Sequence, residues 1–240
     1  MSSSCARGVV RNSYNSGSPL SPFPSMRIAG ITCFAVSCLL VVASSFAGTG
    51  SRVLPPGQAV EGESQGTWST RWWQWASSFE YDESPVADVT GEHCGAGQSG
   101  KVWFLAGTYE SHPIERTCEI PAGKYLFFPL VNYMVMPSRC DRCRVCEAVE
   151  ATAKEITDEP MGLFAELDGK AIPELASHRQ ASPACFDLAA RSRGAPKIYP
   201  TASNGYWLML APLAKGKHTL RIGGSLPSIR QEIVYKLDVR

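Results

Sequence analysis

The chain has 240 residues, 23 Lys+Arg against 22 Asp+Glu, a net charge of +1 and 44% hydrophobic residues. Charges this balanced and scattered offer no basic stripe for nucleic acid and no polybasic patch for a membrane surface.

A leader comes first in chain order. From Met26 the sequence reads MRIAGITCFAVSCLLVVASSFAGTG: Arg27 is a short positive start, residues 28–42 are an apolar run, and Ser45 and Ala47 place small side chains three and one before a cut at Gly48. This is the layout of a secretory signal peptide, and the run is short for a membrane span. The Ser/Pro-rich segment before Met26 reads as an upstream start or a long n-region. Residues 1–47 are therefore expected to be a presequence, and 48–240 a single β-rich domain, exported to the periplasm or the exterior, with no stable span after cleavage. Without the leader 20 basic and 22 acidic residues remain, a net charge of −2.

The stretch TWSTRWWQWASSFEY (67–81) predicts a helix, because Trp68, Trp72, Trp75 and Phe79 recur at helical spacing on one face. Ser64 or Thr67 is suited to cap it, and Pro85 lies beyond its end. Burying such rings is worth roughly 2–3 kcal/mol each, so the stripe reads as core. Trp73 falls off the stripe and must pack elsewhere, meet solvent or meet a partner.

DVTGEHCGAGQSG (88–100) holds four glycines and reads as a shaped loop. Strands are predicted at 101–105, 116–120 and 124–131, the last two divided by Pro-Ala-Gly. A short helix is expected over 144–157, with Val145, Val149, Thr152 and Ile156 on one face and a Glu150–Lys154 pair. GLFAELDGKAIPEL signals a hairpin, with Asp168-Gly169 suited to a type I′ turn. Residues 176–204 show no clear period. GYWLMLAPL, KHTLRIGG and QEIVYKLDV are three further strands, the first two joined around Lys215-Gly216-Lys217, with Ile233, Tyr235, Leu237 and Val239 alternating inward. The expected fold is mainly β, a β-sandwich or jelly-roll-like domain capped by the Trp-rich helix, with one further short helix.

Six cysteines follow the leader: Cys94, Cys118, Cys140, Cys143, Cys146 and Cys185. An even count in an oxidising compartment reads first as disulfides. Cys94–Cys118 across a strand pair, and Cys185 with one of the clustered three, are the expected pairings.

The segments CGAGQSGKVWFLAG, CEIPAGKYLFFPLVN, LDGKAI and GYWLMLAPLAKGKHTLRIGG, with RWWQWA before them, resemble a family of secreted bacterial proteins with no established function. The resemblance spans about residues 68–239. It implies export and a β-rich domain, and it supplies no catalytic residues. The Cys-x-x-Cys-x-x-Cys cluster departs from that pattern.

Three kinds of chemistry can be assigned to residues. The first is binding. Trp73, with Trp103 or Trp207 if either faces outward, would stack on a ligand, and Asp88, His93 and Gln98 in the Gly-rich loop could hold one, although such loop residues also serve turns. A glycan or another envelope component is the expected partner of a secreted, disulfide-stabilised binding or structural module. The second is soft-metal or thiol-redox chemistry at Cys140, Cys143, Cys146 and Met136, with Met134 on the same side of its strand and Cys185 as a further ligand. Thiolate and thioether donors favour copper and thiolates also hold zinc, while Arg139, Arg142 and Arg144 would lower a thiol pKa. The third is a hydrolase without a familiar signature. No G-x-S-x-G elbow, H-E-x-x-H helix, P-loop or dinucleotide fingerprint occurs. His93, His112, His178 and His218 show no metal spacing, and Asp88, Glu92, Glu110 and Glu119 are acids without a pattern. No cofactor is expected outside the metal alternative.

Overall fold

The computed structural model describes residues 52–137 and 144–240, all within the compact unit Gly48–Arg240. The presequence and Cys140 and Cys143 lie outside the described residues. No helix among the described residues is long and apolar enough to cross a membrane.

Nine strands and two α-helices build two sheets and a covering layer. In chain order the elements are α1 (Gln65–Ala76), β1 (Val102–Phe104), β2 (Ile114–Ile120), β3 (Tyr125–Val135), α2 (Cys146–Ile156), β4 (Met161–Leu167), β5 (Lys170–Ala171), β6 (Arg179–Ala181), β7 (Ala202–Leu210), β8 (Gly216–Leu226) and β9 (Ile229–Val239). One sheet runs β1-β3-β7-β6 and the other β2-β9-β8-β4-β5. The β1–β3 and β2–β9 pairs are parallel and the rest antiparallel. The expected β-sandwich is therefore the observed arrangement.

The alternation of side chains explains how the layers meet. Leu126, Phe128, Leu208 and Leu210 enter the core between the sheets, beside Ile222, Ile233 and Tyr235. Phe127, Trp207 and Met209 point the other way and join Trp68, Trp72 and Trp75 of α1 in a second core. With both faces covered, every residue of β7 is buried, which is why its second half, Tyr206 to Leu210, is a continuous apolar run rather than an alternation. Residues Ile233, Tyr235, Leu237 and Val239 are buried as their period-2 spacing predicts.

Local chemistry closes the elements. Ser64 caps α1, its hydroxyl accepting from the Thr67 backbone N–H at 3.1 Å. Asp168 and Gly169 both adopt positive φ, 52° and 76°, as the tight β4–β5 turn requires. The bridge Cys94–Cys118, with Cα atoms 5.7 Å apart, ties the Gly-rich loop to β2 rather than joining two strands. Cys146 pairs with Cys185, fastening the start of α2 to the segment before β7.

Several expectations are refined or changed. Pro121-Ala122-Gly123 divides β2 from β3 as expected, and the two strands it divides belong to different sheets. The segment around Lys215 likewise joins β7 and β8 across different sheets. On α2 the buried residues are Val149 and Ala153, while Val145 is exposed. Lys154 pairs with Asp158 at 2.9 Å instead of Glu150, and Asp158 also receives Arg179 at 2.6 Å.

Candidate functional site

A β-bulge lies beside a cleft between α1 and β3. Pro129 pairs with Trp207 and Val131 with Tyr206, leaving Leu130 as an extra residue in β3. Leu130 and Val131 both enter the inter-sheet core as a result, and the strand beyond the bulge presents the next residues in shifted phase. Gln231 of β9 seals the irregularity. Its amide donates to the Pro129 and Leu130 carbonyls, and its oxygen accepts from the Thr108 backbone N–H at 3.3 Å. Opposite Asn132 stands Gly205, where a Cβ would lie 2.6 Å from the Asn132 Cα, so only glycine permits this approach.

The cleft has a volume of about 390 Å³, within the range of small-ligand sites, about 300–1,000 Å³. Trp72, Trp73 and Ala76 of α1 form one wall, Asn132, Met134 and Met136 another, and Thr108, Tyr109, Arg230 and Gln231 close the ends. Met134 and Met136 both line the cleft, with Tyr133 beside them. Trp73 stands edge-on to Trp72, centroids 5.1 Å apart at 90°. The two indoles differ in one respect. Trp72 Nε1 donates to the Leu105 carbonyl at 2.9 Å, whereas Trp73 Nε1 is buried with no partner among the described residues. The Nδ2 of Asn132 is likewise buried and unpartnered. An unmade bond of this kind costs about 1–3 kcal/mol. Among the described residues eight buried side-chain atoms lack a partner, Trp103 and Trp207 Nε1 among them, and Trp73 Nε1 and Asn132 Nδ2 are the ones on residues lining the cleft. At the mouth Tyr109 stacks on Tyr81, centroids 6.3 Å apart and 10° from coplanar, with 64% and 68% of their surfaces exposed.

Arg116 positions the loop walls. Strand alternation turns it inward, and it is 1% exposed. Its guanidinium donates to the carbonyls of Val86, Asp88, Ala106 and Gly107 and to the Tyr235 hydroxyl at 2.6–3.2 Å. Among the described residues no carboxylate pairs with it. A buried cation therefore gathers two loops through their carbonyls. Burial raises the Tyr235 phenol pKa, and the Arg116 charge works against that rise. Sequence pattern gives one signal for this role, an arginine at an inward position of an alternating strand.

The Gly-rich loop uses its polar groups internally. Asp88 accepts from the backbone N–H groups of Thr90, Gly91 and His93 and from the Thr90 hydroxyl, at 2.8–2.9 Å. Burial raises the Asp88 pKa, but these four bonds together hold it below the ordinary aspartate value. The Gln98 amide donates to the Cys94 and Phe104 carbonyls and accepts from the Phe104 N–H. His93 is partly exposed beside them. None of Asp88, His93 and Gln98 lines the cleft that Trp73 lines. Trp103 and Trp207, at 9% and 0% exposure, are core residues and not stacking platforms.

The cysteine cluster divides. The Cys146 sulfur is bonded to Cys185, so neither presents a thiolate in this state, although both lie near a Glu150 carboxylate oxygen, all within 4.8 Å of one another. Met136 lines the cleft instead. Of the acids considered for hydrolysis, Glu110 pairs with His112 at 3.3 Å and Glu119 with Arg240 at 2.7 Å, both at the surface. Among the described residues the cleft lining includes no carboxylate, imidazole or thiol, and Arg230 brings a charged group to one end.

No family model matches the chain, and no curated protein matches it. Among solved structures, the solution structure of amebosin is similar at 11% identity over 53% of this chain and 96% of that chain, with a TM-score of 0.19. A likeness of that size carries no argument about fold or function. The site stands on its own geometry.

Proposed function

We propose that the protein is an exported binding module of the cell envelope or the exterior, and that the Trp73–Asn132 cleft takes a glycan bearing acetamido groups. The observation that carries this is the pair of unpartnered buried donors on cleft residues, Trp73 Nε1 and Asn132 Nδ2. A group that satisfies N–H donors must bring acceptor oxygens, and an amide carbonyl is a stronger acceptor than a hydroxyl. Apolar surface from Trp72 and Met134 suits the C–H face of a sugar ring, and the stacked tyrosines at the mouth suit a further ring. Export is supported by the leader-like sequence from Met26, by two disulfides and by the resemblance to secreted bacterial proteins.

The test is calorimetric titration with chitotriose, an oligomer of N-acetylglucosamine, against cellotriose, which lacks the acetamido group. Chitotriose is expected to bind, cellotriose about tenfold or more weakly, and Trp73→Phe, which keeps the ring but removes the N–H, to lose about fivefold to tenfold. No binding of either sugar, or equal binding by Trp73→Phe, overturns the proposal.

A further inference from the structure

A second pocket lies on the other flank of α1. Arg71 and Trp73 are two residues apart, about 160° round the helix, so Arg71 faces away from the cleft. The pocket, of about 530 Å³, is lined by Trp68, Arg71, Gln74, Ser99, Gly100 and Arg191 among others. We propose that it binds a tetrahedral oxyanion, phosphate or sulfate, between Arg71 and Arg191.

Two guanidinium groups meet there without enough negative charge. Arg71 pairs with Glu63 and lies over the Trp68 ring, 5.0 Å from its centroid. Arg191 donates to the Gly97 carbonyl at 3.0 Å and pairs with no carboxylate among the described residues. Desolvation and the nearby Arg71 charge both lower the Arg191 pKa, the mark of a cation lacking a counter-charge. Lys124 adds a third cation at the border, its ammonium bonded to the Gly100 carbonyl. Glu63 is the acid paired at this pocket, and Arg71 already holds it.

The elements that carry the two arginines are linked. Arg191 ends a 3-10 turn, Leu188–Arg191, which Asp187 caps through the Ala189 N–H at 3.1 Å. From α1, the Gln74 amide donates to the Asp187 carbonyl at 2.9 Å, fixing that turn to the helix that carries Arg71. A guanidinium presents a rigid fork of donors. Two forks together can engage three or four oxygens, which phosphate and sulfate supply and a carboxylate does not.

The test is independent of the cleft. The Nε–H resonances of Arg71 and Arg191 are followed by NMR while sodium phosphate, sulfate or acetate is added at constant ionic strength with chloride. Phosphate and sulfate are expected to shift both signals saturably, and acetate to bind about tenfold more weakly. Arg191→Gln should lose about tenfold or more in phosphate affinity. Arg191→Lys, which keeps the charge but not the fork, should fall between them and serves if Arg191→Gln does not fold. Shifts that never saturate, phosphate affinity unchanged in Arg191→Lys or Arg191→Gln, or acetate binding as tightly as phosphate would each overturn the proposal. Chitotriose should leave both arginine signals where they are, so the two sites succeed or fail separately.

Discussion

α1 and α2 have nearly equal lengths, 12 and 11 residues, and both cover strands β3 and β7, yet they are held in different ways. α1 buries three indoles, and each of those ring N–H groups donates to a different segment: Trp68 to Val60, Trp72 to Leu105 and Trp75 to Ala96, at 2.9–3.0 Å. α2 buries only Val149 and Ala153. It is fastened instead by Cys146–Cys185 at its start and by Arg179 at its end, whose guanidinium reaches the Lys154 carbonyl, the Thr157 hydroxyl and Asp158. Buried rings and the bonds of their N–H groups secure the first helix. The second lacks such rings and relies on a covalent link and a charged clasp.

Removing area from α1 should have the largest effect. Trp72→Ala is expected to lower global stability by about 3–5 kcal/mol, measured by denaturant unfolding, and a loss under 1 kcal/mol would break the contrast. The staple comes next. Cys146→Ser with Cys185→Ser should cost about 2–4 kcal/mol, with hydrogen exchange speeding up across α2 while α1 amides keep their protection. Equal loosening of both helices would contradict separate fastening.

Acid gives a finer test, because the carboxylate at the end of α2, Asp158, is held by two cations, whereas the C-terminal half of α1 has no such clasp. Hydrogen bonds from Lys154 and Arg179 hold the Asp158 pKa below its ordinary value of 3.8. Its folded pKa is depressed, so the contribution is complete above the unfolded value and is lost as pH falls through the folded one. Exchange protection of the α2 C-terminal amides should therefore drop below about pH 4. α1 meets a carboxylate through Arg71 and Glu63, so the amides of its last turn, beyond that pair, should not respond in step. In Asp158→Asn the drop should vanish. Smallest of all, Lys154→Ala should change stability by only about 0.3–0.5 kcal/mol, since the Lys154–Asp158 pair is exposed.

The same contrast shows what the sequence could reveal. Periodic burial is written plainly: Trp68, Trp72 and Trp75 at helical spacing and Ile233 to Val239 at period 2 both appear where the pattern puts them. Asp168-Gly169 is legible because positive φ limits the residue types allowed. Sheet membership is not, since Pro121-Ala122-Gly123 has the same composition whether the chain turns back or crosses over. Residues Pro227-Ser228 join β8 to β9 without the Asn or Gly that marks most tight hairpins, so the strands run further than the pattern suggests. At the site, Trp73 stands out because it falls off the stripe. Asn132 does not, because its place depends on the bulge at Leu130, and one inserted residue leaves no periodic signature. Asp88 and Gln98 show the converse: the residue types that hold ligands also fold loops, and here their atoms meet backbone groups.

The most direct measurement is an ¹⁵N–¹H NMR titration with chitotriose, reading the six tryptophan indole N–H signals and the Asn132 side-chain amide. The Trp73 indole and the Asn132 amide should move together and saturate at one concentration, while the Trp68 and Trp75 indoles, bonded to carbonyls and outside the cleft lining, shift little. Saturable binding that leaves Trp73 and Asn132 unmoved, or no binding at all, would contradict the account.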